Sequence, residues 1–155
     1  MTVATRVKRH LDDVGVPYEV LPHRETYTAQ GTAAATHVSG WTMAKVLVGR
    51  DESGYVMAVL PAACHLDVPA FRVVTGRKHL VLASEAELLE LFPDCEVGAM
   101  PALGRLYGMP VYADSCFVPG EDLLFPAGSH HEVVKVAWKD FLRAAQPVVM
   151  DFCRP

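Results

Sequence analysis

The spacing of apolar residues predicts both helices and strands along this chain. Apolar residues recur at helical intervals over residues 3–14, and Gly15 ends the amphipathic helix that this spacing predicts. Ser84 and Glu87 have the spacing of a capping box ahead of an apolar run. A second helix is therefore expected to begin there and to end at Pro93.

Short apolar runs bounded by turn residues predict strands. These runs lie at residues 18–21, 45–48, 55–60, 111–113, 123–125, 133–136 and 148–152. Helical patterns also lie at residues 29–38 and 138–145. Turn residues at 51–54 separate two of the strand runs and predict a hairpin. Helices and strands follow one another irregularly, which predicts an α/β (α+β) domain around a mixed, curved sheet and disfavours strict βαβ winding.

Length and composition are those of a folded domain. The chain has 155 residues, which fits a single domain over residues 1–155. Apolar residues make up 51% of the chain and charged residues 21%, a composition that excludes a disordered protein. Residues 1–9 lack the apolar run of a secretory signal, and no apolar stretch approaches the length of about 18 residues that predicts a membrane span.

Charge and cysteine content limit which partners and which cellular compartment suit this protein. The net charge of −4 argues against a DNA-binding protein, or any protein that holds nucleic acid mainly by charge. A nucleic acid that is held mainly by one end is compatible with this charge. No two of the cysteines, Cys64, Cys95, Cys116 and Cys153, have the C-x-x-C spacing, which favours reduced thiols in a cytoplasmic protein.

Three segments carry the candidate chemistry. Lys45 begins an apolar strand, a place where a solvated edge lysine is the commoner role. Residues 97–104 are rich in glycine, alanine and proline, so their backbone can approach a ligand or simply form a surface turn. His130 and His131 are adjacent and would point to opposite faces of a strand, so they cannot easily chelate one metal. The sequence therefore predicts no metal and no other cofactor.

The order and spacing of these segments resemble the YbaK/prolyl-tRNA-synthetase-associated family of aminoacyl-tRNA deacylases. The resemblance runs from about His23 through Lys45 and the Gly98 turn to residues 128–130. Ala102 is a departure, because family members often carry a proline at its position. The resemblance implies a barrel-like mixed sheet flanked by helices, and hydrolysis of the ester bond of mischarged aminoacyl-tRNA.

The resemblance also implies roles for individual residues. Lys45 falls where the family keeps its essential lysine, and its ammonium group would stabilise the oxyanion that forms when water attacks the ester. The backbone of Gly98 would orient that water. His130, which follows Ser129, would hydrogen-bond the substrate or its terminal ribose. The resemblance also implies that the ribose hydroxyl of the substrate itself would assist the reaction.

Further residues are candidates for the wall of the substrate site. Met100 and Pro101 follow Gly98 and would limit the size of the bound amino acid, although a methionine is more often core filler. His23 and Tyr27 lie in the loop after the first predicted strand. There they would contact the terminal adenosine, with an aromatic ring stacked on the base, unless Tyr27 packs into the fold instead.

The sequence thus predicts a free-standing trans-editing hydrolase with water as the nucleophile. Its predicted partner is the acceptor end of an aminoacyl-tRNA, and an aminoacyl-tRNA synthetase is a further candidate. The favoured substrate by resemblance is tRNA-Pro mischarged with alanine or cysteine, with serine and threonine also open. The alternative function is a non-catalytic module that binds aminoacyl-tRNA or a synthetase. A Cys–His hydrolase also stays open, because neighbours in space are invisible in sequence.

Overall fold

The computed structural model describes residues 4–117 and 120–154 and has a mixed α/β architecture. Its α-helices are Thr5–Val14 (α1), Ala29–Ala35 (α2), Val68–Thr75 (α3), Glu85–Leu91 (α4) and Trp138–Ala145 (α5). Its strands are Glu19–Pro22 (β1), Ala44–Asp51 (β2), Gly54–Pro61 (β3), His65–Leu66 (β4), Val81–Leu82 (β5), Val111–Asp114 (β6), Asp122–Pro126 (β7), Glu132–Ala137 (β8), Val148–Met150 (β9) and Cys153–Arg154 (β10). Within these ranges, no helix combines the length and the apolar character needed to cross a bilayer.

The strands pair into a mixed sheet and two smaller antiparallel sheets. The mixed sheet has the order β5-β2-β3-β6-β9, and the smaller ones are β1-β8-β7 and β10-β4. In the mixed sheet β2 and β3 form an antiparallel hairpin, whereas β6 runs parallel to both β3 and β9. A parallel bridge between Met43 and Leu124 joins the mixed sheet to the β1-β8-β7 sheet. The predicted mixed α/β fold is therefore confirmed, with its strands divided among sheets.

Strand β3 is buried on both faces. Met57 and Val59 belong to the main core, which includes residues of α1, α5 and the β1-β8-β7 sheet. Val56, Ala58 and Leu60 point the other way, into a second core that contains residues of α3. The alternation follows from the two-residue period of a strand. Because both faces of this sheet are covered, ligands can reach it mainly along its edges.

Most predicted elements are present, with shifted ends. Helix α1 ends at Gly15, whose φ of 78° suits a left-handed cap; Val3, which was part of the predicted helix, lies outside the described residues. Helix α2 ends at Ala35, earlier than the predicted residue 38. The predicted strand at 148–152 ends early, because β9 stops at Met150; β10 begins only at Cys153 and belongs to a different sheet.

Helix α3 is absent from the sequence prediction although its signals are present. The side chain of Asp67 caps its first turn by accepting a hydrogen bond from the backbone N–H of Ala70 at 3.1 Å. Pro69 lies in the first turn, and Gly76 ends the helix with a φ of 69°. These three residues together are a typical helix start and stop.

The capping box of α4 predicts a measurable pH dependence of stability. Glu87 accepts hydrogen bonds from the backbone N–H of Ser84 at 2.9 Å and from the hydroxyl of Tyr55 at 2.6 Å. The Ser84 bond, followed by the Tyr55 bond, lowers the pKa of Glu87 from 4.5 to about 2. Because the folded-state pKa is depressed, this stabilisation is present above pH 4.5 and is lost as the pH falls towards 2.

We therefore expect Glu87→Gln to lower the thermal midpoint at neutral pH, with the difference from wild type shrinking as the pH is lowered through this window. Thermal melts at a series of pH values measure the effect. Glu90→Gln is the matched control, because Glu90 is an exposed glutamate in the same helix. A midpoint difference for Glu87→Gln that stays constant down to pH 2 would contradict this account.

Candidate active site

A pocket of about 280 Å³ lies beside the first half of β2. Strand β5 pairs with β2 only at Gly49 and Arg50, so residues 44–47 at the start of β2 line the pocket instead. The other walls come from the loop before α2, the first turns of α2, the Gly98 turn and the segment before β8. The lining residues are His23, Tyr27, Thr28, Ala29, Thr32, Met43, Ala44, Lys45, Val46, Leu47, Gly98, Pro126, Ser129 and His130.

Lys45 is held in place by a backbone carbonyl. It pairs with Leu60 in the β2-β3 hairpin, and its Nζ donates a hydrogen bond to the carbonyl oxygen of Cys64 at 2.6 Å. Burial lowers the pKa of Lys45 below its ordinary value, and the nearby thiols of Cys64 and Cys153 partly offset that change. An ammonium group has three N–H donors, so the bond to Cys64 leaves it able to donate to a substrate.

Gly98 lies in a tight turn that is fixed to the segment before β8. The N–H of Ala99 donates to the carbonyl of Glu96 at 3.0 Å and closes the turn, in which Gly98 has a φ of 86°. Glycine adopts this left-handed conformation without steric cost. Gly128 then donates to the carbonyl of Ala99 at 2.7 Å and accepts from the N–H of Glu96 at 2.8 Å. The two segments therefore hold each other in register.

His130 completes this wall of the pocket. It is almost fully buried, and its Nε2 lies 2.7 Å from the carbonyl oxygen of Val97. A carbonyl only accepts, so Nε2 carries the proton of this bond, and in the neutral ring Nδ1 is left as an acceptor. The ring of Tyr27 packs on His130 with a centroid separation of 4.9 Å, and Tyr27 is itself 69% exposed.

His131 points away from this site. Its Nε2 lies 3.7 Å from a carboxylate oxygen of Glu25, and His131 is not among the lining residues. Its backbone serves the pocket instead, because its carbonyl accepts a hydrogen bond from the N–H of His23 at 2.7 Å. The buried hydroxyl of Ser129 accepts from the N–H of His131 at 3.0 Å. These bonds tie the loop after β1 to the segment before β8.

The structure brings six of the eight predicted site residues together, since Lys45, Gly98, His130, Ser129, Tyr27 and His23 all line the pocket. Met100 and Pro101 do not line it. Both are buried, and Met100 packs in the main core as an ordinary core residue. Ala102 is also fully buried in that core.

Sequence reasoning missed the contribution of α2. Thr28 caps this helix by accepting a hydrogen bond from the N–H of Gly31 at 2.9 Å, and Thr28 and Thr32 both line the pocket. A threonine directly before an alanine-rich helical segment is a typical cap signal, and the predicted start of this helix at residue 29 is confirmed. That this helix end faces Lys45 depends on the tertiary fold.

Comparison with known proteins decides the family. Residues 23–144 match the family model described as the aminoacyl-tRNA editing domain. The chain belongs to this family. Editing of an aminoacyl-tRNA is hydrolysis of its ester bond, so membership in the aminoacyl-tRNA editing family confirms the prediction of an aminoacyl-tRNA deacylase and the resemblance to the YbaK type.

Individual relatives of this aminoacyl-tRNA editing protein agree with the family model. The chain is 28% identical over 149 residues to the multifunctional Ser/Thr-tRNA deacylase ProXp-y of Escherichia coli K12, a match that covers 93% of this chain and 89% of the relative. A solved structure described as a "putative trans-editing enzyme for prolyl tRNA synthetase" superposes with a TM-score of 0.83 at 24% identity, covering 97% of this chain and 96% of that one.

Another solved structure, of the hypothetical protein APE2540, superposes with a TM-score of 0.86 at 20% identity and covers 96% of this chain and 99% of that one. At identities below 25% the two structures bear on the fold of this aminoacyl-tRNA editing domain alone.

Proposed function

We propose that this protein removes a small, wrongly attached amino acid from tRNA, with the reacting ester bound in the pocket beside β2. The observation that carries the proposal is that a half-buried ammonium group, a glycine turn and a buried imidazole line one pocket. In this proposal water is the nucleophile, because the ammonium group can stabilise the oxyanion and the glycine turn leaves room for water beside the ester.

The chemistry needs only water and these protein groups. The oxygen of water bonds to the ester carbonyl carbon, and negative charge develops on the carbonyl oxygen. The ammonium group of Lys45, anchored on the carbonyl of Cys64, donates to that oxyanion. The bond from the carbonyl carbon to the ribose oxygen then breaks, and a proton from the attacking water ends on that ribose oxygen. The products are the free amino acid and the uncharged tRNA.

The other walls orient the substrate. Gly98 presents backbone without a side chain, so the ester can approach the turn closely and the turn can position the water. In the tautomer with its proton on Nε2, the Nδ1 atom of His130 can accept a hydrogen bond from a ribose hydroxyl or from the substrate amino group. Tyr27 is exposed at the rim and offers a stacking surface to the terminal adenine.

The size of the pocket supports a small amino acid. A volume of about 280 Å³ lies at the lower edge of the range for small-molecule sites, and it has to hold the acyl group together with part of the ribose. The sequence favoured alanine or cysteine on tRNA-Pro, whereas the name of the E. coli relative gives serine and threonine as the amino acids that protein removes. All four are small, and one methylene is worth only about 1–3 kcal/mol in such discrimination.

A deacylation panel tests this proposal. Purified protein is incubated with tRNA-Pro carrying alanine or cysteine, with tRNAs carrying serine or threonine, and with a tRNA carrying phenylalanine as a large control. Release of free amino acid from at least one of the first four, but not from the phenylalanine control, is the expected result. Tight binding of these tRNAs with no release above the spontaneous rate would instead identify a binding module and overturn the proposal.

Binding of tRNA is expected to depend only weakly on salt. Of the basic cluster around α3, Arg77 is already paired with Asp51 at 2.7 Å, and Arg72 donates to the carbonyl of Leu80 at 2.9 Å. With a net charge of −4, the protein should neutralise about two to four phosphates, each contributing about 0.7–0.9 to the slope of log affinity against log salt.

Titration of uncharged tRNA at several salt concentrations measures this slope. Lys78→Ala should remove about one phosphate contact and so lower the slope by about 0.7–0.9. A slope as steep as that of a dedicated nucleic-acid-binding protein would show that folding gathers the basic residues into one continuous surface.

A further inference from the structure

Three cysteines that are far apart in the sequence meet behind the pocket. Cys64 follows β3, Cys116 follows β6, and Cys153 begins β10. Their sulfur atoms all lie within 4.8 Å of one another, and those of Cys116 and Cys153 are 3.5 Å apart. We name these residues the thiol cluster. The chemistry assigned to the pocket uses none of the three thiols.

The backbone around the thiol cluster is fixed by one buried carboxylate. Asp114, which is 1% exposed, accepts hydrogen bonds from the N–H groups of Cys116 at 2.8 Å and Cys153 at 3.0 Å. Burial raises the pKa of Asp114, but hydrogen bonds from the thiol of Cys116, the N–H of Phe152 and the N–H of Cys116 lower it, and the pKa lies below its ordinary value. Pairing of Cys153 with Leu66 brings β10 beside the segment that follows Cys64. Two of the three thiols are thus positioned by a single anion.

We propose that the thiol cluster is a binding site for one thiophilic divalent cation of the Zn²⁺ class. Zinc–sulfur bonds of about 2.3 Å place tetrahedral sulfur ligands about 3.8 Å apart, within the spacing that the three thiols already have. Cys64 is buried and Cys116 is exposed, so the site is closed on one side and open to solvent on the other. Three thiolates from the protein and one water from the open side complete four-coordination.

The charges around the thiol cluster suit a cation. A cysteine binds Zn²⁺ as its thiolate, so each ligand thiol gives up its proton. A divalent cation replaces these protons, which are released on binding. Three thiolates and one Zn²⁺ carry a net charge of −1, which attracts the ammonium group of Lys45 held on the carbonyl of Cys64.

Metal titration of the reduced, metal-free protein tests the site directly, without reference to activity. Cobalt(II) chloride reports thiolate ligation through its charge-transfer absorption, and competition with zinc chloride gives the affinity for zinc. We expect one cation per chain, with protons released on binding. Cys116→Ser should weaken binding by more than about tenfold, the lower end of the loss seen when even an outer partner of a ligand is removed.

Cys95→Ser is the matched control, because Cys95 lies outside the thiol cluster and its thiol contacts Tyr107 and Asp94. Its affinity for cobalt and zinc should equal that of wild type. Because Cys116 is exposed, its replacement by serine should leave the thermal midpoint of the metal-free protein unchanged. The proposal is overturned if the fully reduced protein binds neither metal, or if Cys116→Ser binds both as tightly as Cys95→Ser does. A disulfide between Cys116 and Cys153 with no metal uptake after reduction would overturn it equally.

Discussion

Lys45→Ala is expected to lower the rate of deacylation at least about 100-fold, the effect of removing one donor to a developing oxyanion. The side chain is half-buried and its ammonium group is fixed on the carbonyl of Cys64, so its position is set before substrate arrives. Alanine keeps the strand and its pairing with Leu60, which is made by the backbone. The loss should therefore appear in kcat and not in folding.

Single-turnover deacylation of the best substrate in the panel measures the effect, and a thermal melt checks the fold. Lys8→Ala is the matched control, because Lys8 is an exposed lysine of α1 that does not line the pocket. Lys8→Ala should react at the wild-type rate. A folded Lys45→Ala protein with turnover close to that of wild type would refute the role given to the ammonium group.

Gly98→Ala is expected to reduce deacylation on the order of 10–100-fold, because small displacements of a reacting group can cost about that much. A Cβ at this position would lie 3.4 Å from Cε1 of His130, inside the pocket wall. The φ of 86° is also unfavourable for alanine, at a cost of about 1–2 kcal/mol. Both the stability and the shape of the site should therefore change.

Gly76→Ala separates these two effects. Gly76 has a similar φ of 69°, but a Cβ there has no atom within 4 Å. Both variants should lose a few degrees of thermal midpoint, at about 2–4 °C per kcal/mol for a chain of this size, and only Gly98→Ala should lose activity per folded molecule. Equal activity in the two variants would mean that the Gly98 turn is merely a surface turn.

Local signals in the sequence account for much of the fold. The hairpin of β2 and β3 follows from two apolar runs around a turn, and the capping box at Ser84 fixes the start of α4. Equally local signals, such as Asp67 before α3, were present in the sequence, although the prediction did not include that helix. The end of β9 at Met150 and the separate strand β10 could not be predicted, because the tertiary fold decides that β6 lies beside one and β4 beside the other.

The candidate site was less accessible to sequence reasoning. The positions of Lys45, Gly98 and His130 came from resemblance to a family, and the contacts that fix two of their side chains are backbone carbonyls of Cys64 and Val97. Every residue has a carbonyl, so no residue type signals such a partner. Closeness in sequence to a site residue is also a poor guide. Met100 is only two positions from Gly98, yet its side chain packs into the core and does not line the pocket.

Strands β1 and β8 are paired in the fold but are synthesised far apart in time. Strand β1 emerges from the ribosome long before β8, its partner in the Glu19–Lys135 and Pro22–Glu132 register. A nascent chain that has passed Gly98 already carries the lysine and the glycine turn, yet lacks the His130 wall and the strand that anchors the loop with His23 and Tyr27. The pocket therefore cannot close until β8 has been made, and a product that stops before β8 has no working site.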